Sequence, residues 1–143
     1  MGIYVGDKRY APYIGDKRRR YMGGVASTDT EDFIFDKRIH TNDTLTGANQ
    51  YSDVVTRYFE VTGGHKMKWN AAVRSSYVKI NELGNDKSFI LQTQNKAFPY
   101  TFTLNANTAF VRFCTLQSLL DVAYLYDVTD NKWIWKGKNA RLT

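Results

Sequence analysis

From Val54 onward the dominant period of the chain is two. Val54-Val55-Thr56-Arg57-Tyr58-Phe59-Glu60-Val61 is β-branched and aromatic with interleaved polar residues, the pattern of a half-buried strand. Gly63-Gly64 turns the chain, and Lys66-Met67-Lys68-Trp69 alternates again. Further strands are expected at Tyr77-Val78-Lys79-Ile80, Ser88-Phe89-Ile90-Leu91-Gln92, Tyr100-Thr101-Phe102-Thr103-Leu104 and Ala109-Phe110-Val111-Arg112-Phe113-Cys114. Asp121 to Tyr126 and Lys132-Trp133-Ile134-Trp135 flank Thr129-Asp130-Asn131, the signature of a hairpin. Gln117 to Asp121 suits a turn of helix, and no segment carries a helical stripe. Short strands about ten residues apart, separated by Gly, Asn and Asp, predict an all-β chain: an antiparallel β-sandwich, jelly-roll-like, over 51–143.

The first 50 residues read differently. Gly6-Asp7-Lys8-Arg9 recurs at Gly15-Asp16-Lys17-Arg18, each preceded by apolar β formers, Ile3-Tyr4-Val5 and Tyr13-Ile14. A short β run entering Gly-Asp is a tight turn, with Gly supplying positive φ and Asp bonding its own backbone. Two such strands bury too little to stand by themselves, so they are expected to form a β-hairpin that pairs with the body or docks on a partner. This assigns 1–22 as an anchor segment. Residues 23–50 read as a linker, opened by Gly23-Gly24 and rich in Ser, Thr, Asp and Asn. Within it Phe33-Ile34-Phe35 and Ile39 are candidates for one short strand, and Ser27 or Thr28 with Glu31 has capping-box spacing.

Charge sharpens that division. The 143 residues carry a formal +6. In residues 1–20 Lys8, Arg9, Lys17, Arg18, Arg19 and Arg20 stand against Asp7 and Asp16, a net +4. The remainder holds 14 basic and 12 acidic residues, a net +2. Basic character thus belongs to the anchor, where it suits nucleic acid, an acidic lipid surface or an acidic protein groove. Tyr10, Tyr13 and Tyr21 lie among these basic residues, as in stacking nucleic-acid binders. The regular Gly-Asp turns fit a built segment better than a nucleic-acid arm.

Candidate chemistry narrows the function classes. Cys114 is the single cysteine, so no intrachain disulfide can form. Its flanks place it in a buried strand. His40 and His65 stand 25 residues apart in expected loops with no metal-ligand spacing. No phosphate loop, nucleophile elbow or metalloprotease helix occurs, and most acids sit in turn contexts. The expectation is a non-enzymatic protein with no cofactor and no metal. No stretch approaches the ~20 apolar residues that span a bilayer. The start lacks a signal-peptide core and the myristoylation pattern, so no membrane association and assembly in a cytosol are expected.

Aromatic residues, 15% of the chain, are the better candidates. Residues two apart on a strand point the same way, which puts Trp133 and Trp135 on one face. Tyr124 and Tyr126 share a face of the preceding strand. This set is expected either to fill the core, to meet another subunit or to bind a sugar.

The repeated Ile3-Tyr4-Val5-Gly6-Asp7-Lys8 and Tyr13-Ile14-Gly15-Asp16-Lys17 resemble the N-termini of virion proteins of tailed bacteriophages. Tyr51 to Val61, Tyr77 to Asn81, Lys87 to Ile90, Tyr100 to Thr103 and Ala109 to Phe113 resemble the β-sandwich modules of phage and bacterial surfaces. The likeness covers about two thirds of the chain, through short motifs, and size and layout suit head-fibre, decoration or adsorption proteins of crAss-like phages. It implies a virion structural protein assembled in the host bacterial cytoplasm, a head fibre or capsid decoration. Ile3, Tyr4, Val5, Lys8, Arg9, Tyr13, Ile14, Lys17, Arg18, Arg19 and Arg20 would anchor it to a capsid or fibre-base protein. It also implies a homo-oligomer, with a trimer as the common form. The alternative is a carbohydrate-binding host-attachment module recognising a bacterial surface glycan, with Trp133, Trp135 and Tyr124 as its platform.

Overall fold

The computed structural model describes residues 33–143. The expected anchor, including all eleven of its named residues, and the first part of the expected linker lie outside that range. Twelve strands follow in order: β1 (Ile34–Phe35), β2 (Lys37–Ile39), β3 (Leu45–Gly47), β4 (Val54–Val55), β5 (Phe59–Glu60), β6 (Lys66–Asn70), β7 (Lys79–Leu83), β8 (Phe89–Gln94), β9 (Tyr100–Thr103), β10 (Phe110–Thr115), β11 (Tyr124–Asp127) and β12 (Lys132–Lys136). Two short 3-10 turns, Thr41–Asp43 and Gln117–Val122, complete the elements of the described residues.

The strands make an antiparallel β-sandwich. The larger sheet runs β1-β4-β10-β7-β8, with β5 continuing the line of β4 along β10. The smaller runs β12-β11-β6-β9. Between them lies one apolar core to which both contribute: Val54, Phe59, Ile80, Val111 and Phe113 from the larger sheet, Met67, Trp69, Leu125 and Trp135 from the smaller. Rings dominate it. Phe59 meets Phe113 at 6.3 Å and Trp135 at 6.2 Å between centroids, and Trp69 meets Phe113 edge-on at 5.9 Å. Offset and edge contacts of this kind add to the stabilisation from area burial.

Two bulges decide which rings enter that core. Along β10, Val55 pairs with Cys114 and Phe59 with Val111. The chain from Val55 to Phe59 therefore takes one more step than its partner. An extra residue reverses the alternation of side chains, so Val54 and Phe59, an odd distance apart, both face inward. The continuous alternation expected over Val54 to Val61 is interrupted for this reason. On the β11–β12 hairpin, Leu125 pairs with Trp135 but Tyr126 with Trp133. Ile134 is the extra residue. Trp135 accordingly points into the core and is fully buried, whereas Trp133 lies on the outer face with Tyr124 and Tyr126. The expectation that Trp133 and Trp135 share a face is corrected: it holds only for a strand without a bulge.

The expected linker also changes character where it can be described. β1 pairs with β4 as an edge of the larger sheet, and Phe33 packs against Trp135 at 5.6 Å. β2 and β3 form a hairpin that packs against β4 and β10. Ile39, Val55, Cys114 and Ile34 form a second apolar cluster there. Among the described residues, sheet structure begins at Ile34, and Cys114 is buried as its flanks implied.

Because Trp135 fills the core and Trp133 does not, their truncations should separate. Trp135→Ala should lower the unfolding free energy by about 3–5 kcal/mol, and Trp133→Ala by about 1 kcal/mol or less, in urea denaturation followed by circular dichroism. Equal losses would contradict the bulge.

Candidate functional site

The tip of the β2–β3 hairpin brings a carboxylate onto the outer face of the larger sheet. Thr41-Asn42-Asp43-Thr44 is a polar turn in sequence, and it turns with Asn42 and Asp43 both at positive φ, 50° and 64°. Asn and Asp tolerate this region better than other side chains. The turn aims Asp43 at β10 and β7. Arg112 Nε donates to Asp43 Oδ1 at 2.9 Å, and its Nη2 donates to the Asp43 carbonyl at 2.8 Å. Asn81 Nδ2 donates to the same Oδ1 at 2.7 Å, and the Tyr58 hydroxyl donates to Oδ2 at 2.7 Å. Gln92 Nε2 continues the chain to Asn81 Oδ1 at 2.8 Å and to the His40 carbonyl at 3.2 Å.

Arg112 and Asp43 are almost completely buried, at 6% and 9% side-chain exposure. Burying opposite charges costs several kcal/mol for each ion, which only close pairing and full hydrogen bonding offset. Here the carboxylate receives three side-chain donors, and the guanidinium lies over the Tyr58 ring at 4.4 Å. Burial, the hydrogen bond to Asp43 and the charge of Asp43 push the Tyr58 hydroxyl up to about 12, against an opposing pull from Arg112. Beside Tyr58 a groove of about 410 Å³ is lined by Arg57, Tyr58, Lys87 and Phe110. The Lys87 ammonium stands 4.4 Å from the Phe110 centroid and 5.5 Å from that of Tyr58.

The expected contact set divides. Trp133 gathers Tyr124 and Tyr126 around it, edge-on at 5.5 Å and 5.1 Å, with the Lys136 ammonium 5.0 Å from its ring. Tyr124 is fully buried, so the surface of this cluster is left to Trp133 and Tyr126, both half-buried. The Tyr126 hydroxyl donates to Asn131 Oδ1 at 2.6 Å. Trp135 takes no part, being inside the sandwich.

One grouping has no local signal in the sequence. His65 Nδ1 lies 2.9 Å from Asp127 Oδ2, across 62 positions, and 3.9 Å from Asp130 Oδ2. Antiparallel pairing of β6 with β11 brings them together. The three ligand atoms fall within 4.8 Å of one another, an arrangement able to hold a cation. Asp127 Oδ1 also accepts the Asp130 N–H at 2.8 Å, closing the hairpin turn, and the Lys132 ammonium sits 3.9 Å from Asp130. A second pair absent from the expected set, Tyr51 and Tyr77, stacks at 6.0 Å.

Comparison with known proteins returned no matching family model, no matching characterised protein and no matching solved structure.

Removing the carboxylate of Asp43 leaves the Arg112 charge buried without its counter-ion. Asp43→Ala should therefore cost about 3–5 kcal/mol in urea denaturation, far above the effect of an ordinary loop substitution. Tyr58 offers an independent readout. Its hydroxyl should ionise near pH 12, against 10 for an ordinary tyrosine, as a late phase at 295 nm that Tyr58→Phe removes. Because the folded value is the higher one, the folded state holds the proton more tightly. The stability contributed is complete below pH 10 and is lost as pH rises through about 12.

Proposed function

We propose that the protein is a non-enzymatic structural and attachment protein: a tailed-bacteriophage virion component, in the role of a capsid-attached head fibre or decoration protein. Residues 1–22 dock on the particle, and the β-sandwich is the module they carry. The observation that bears most weight is the division of charge along the chain. A net +4 is concentrated in the first 20 residues, ahead of a remainder that carries only +2 and contains the sandwich strands described from Ile34 onward. A concentrated basic segment with repeated β-turn units suits an acidic protein groove. Self-association of the sandwich as a homotrimer belongs to the same reading, with half-buried Trp133 and Tyr126 as contact residues.

Deleting residues 1–22 tests it. The truncated chain should retain the β-type far-ultraviolet dichroism and, by native mass, the subunit number of the full-length oligomer. It should be lost from particles purified from cells producing both the virion proteins and the variant, as read by quantitative mass spectrometry. Incorporation at the full-length level would sink the anchoring role, and a monomeric native mass would sink the trimer.

A further inference from the structure

Two tyrosines that lie 26 positions apart meet at the surface. Tyr51 belongs to the loop between β3 and β4, and Tyr77 to the loop between β6 and β7. Their ring planes are parallel within 2°, with centroids 6.0 Å apart. Both stay exposed, at 38% and 39%, and rank among the few large hydrophobic side chains that do.

Hydrogen bonds fix the backbone beneath both rings. Asn49 Oδ1 accepts the N–H groups of Tyr51 at 2.8 Å and Ser52 at 3.0 Å, which fixes the Tyr51 backbone in an Asx turn. Ser75 Oγ accepts the Tyr77 N–H at 3.0 Å, and the Cys114 thiol donates to the Tyr77 carbonyl at 3.3 Å. The Arg38 guanidinium lies 4.9 Å from the Tyr77 centroid. An aromatic surface set in place before a ligand arrives avoids much of the ordering cost of binding.

The chemistry around the rings selects a ligand. The groove they border, about 340 Å³, is lined by Asn49, Gln50, Tyr51 and Tyr77. Two phenols and two carboxamides offer apolar faces together with neutral donors and acceptors. Among the described residues, the four side chains that line the groove are uncharged, and the nearest charge noted is the Arg38 guanidinium against the Tyr77 ring. Single-stranded nucleic acid asks for stacking rings along a positively charged groove that tracks its backbone, and a single guanidinium against one ring does not supply that groove. A protein partner asks for a larger apolar centre than two rings supply. A pyranose ring presents a C–H face to an aromatic ring and hydroxyl groups at its rim to amides. We propose that Tyr51, Tyr77, Asn49 and Gln50 form a binding site for a neutral saccharide. The site shares no residue with the Tyr124, Tyr126 and Trp133 cluster and includes none of residues 1–22, so failure of particle docking leaves it standing.

The test is titration of the full-length, nitrogen-15-labelled protein with chitotriose, cellotriose, maltotriose and mannotriose, followed by amide chemical shifts. At least one sugar should give saturable shifts centred on residues 49–52 and 75–78. Tyr51→Ala and Tyr77→Ala should each weaken that binding about tenfold. Tyr51→Phe, which keeps the ring, should stay within about twofold of the parent. Unchanged spectra away from the site establish that the variants fold. The proposal is overturned if none of the four sugars gives saturable shifts, if the shifts map elsewhere, or if the alanine variants bind as the parent does. It is equally overturned if these amides respond to an oligothymidylate in a salt-sensitive way but not to sugars, or if they shift on dilution without sugar, which would assign the face to a second copy of the chain.

Discussion

Asp43 sets the strongest constraint on this molecule. A carboxylate pressed against the outer face of a sheet must find its counter-charge and its donors at once, because water is no longer there to supply them. It finds Arg112 on β10, Asn81 on β7 and Tyr58 in the bulge between β4 and β5. The hairpin of β2 and β3 is thereby tied to three separate stretches of the larger sheet. Apolar contacts of Ile39 with Val55 and Cys114 hold the hairpin from its base, but they are non-directional. The hydrogen-bonded carboxylate is what specifies where its tip must sit.

The bulge carrying Tyr58 serves both faces of the sheet. Inward, the extra residue turns Phe59 into the core beside Phe113 and Trp135. Outward, it leaves the Tyr58 hydroxyl on Asp43 and its ring under the Arg112 guanidinium. A strand of unbroken alternation could not place Val54 and Phe59 in the core together. The core and the polar clasp therefore depend on the same irregularity. The hairpin of β11 and β12 repeats the device: Ile134 as the extra residue sends Trp135 inward and keeps Trp133 out.

The surfaces that remain follow from those choices. Burying Trp135 and Tyr124 removes two of the four rings expected to act together and leaves Trp133 and Tyr126 at the edge of a mostly internal cluster. The exposed, parallel rings are instead Tyr51 and Tyr77, in the β3–β4 and β6–β7 loops. Functional groups on loops positioned by a rigid scaffold are a common arrangement, and here Asn49, Ser75 and Arg38 do the positioning.

Much of the architecture is local information. The period-two runs around Lys66 to Trp69, Tyr100 to Thr103, Phe110 to Cys114 and Lys132 to Trp135 mark strands, because alternation is a property of neighbouring residues. Phe33-Ile34-Phe35 reads as a strand for the same reason, and Asn42-Asp43 as a turn. Which of two partners one residue skips is not local. A bulge is a mismatch between two strands, and neither strand's composition records it, so the fates of Trp133 and Trp135 stayed hidden. Asp43 and Arg112 are 69 positions apart, and His65 and Asp127 are 62 apart. Their chemistry exists only once the β2–β3 hairpin has packed on β10, or β6 has paired with β11. The sequence by itself determined an antiparallel β chain with a basic, repeated beginning. Tertiary structure decided which charges are buried, which rings face solvent and where a ligand could rest, because those depend on register between strands rather than on the residues within one.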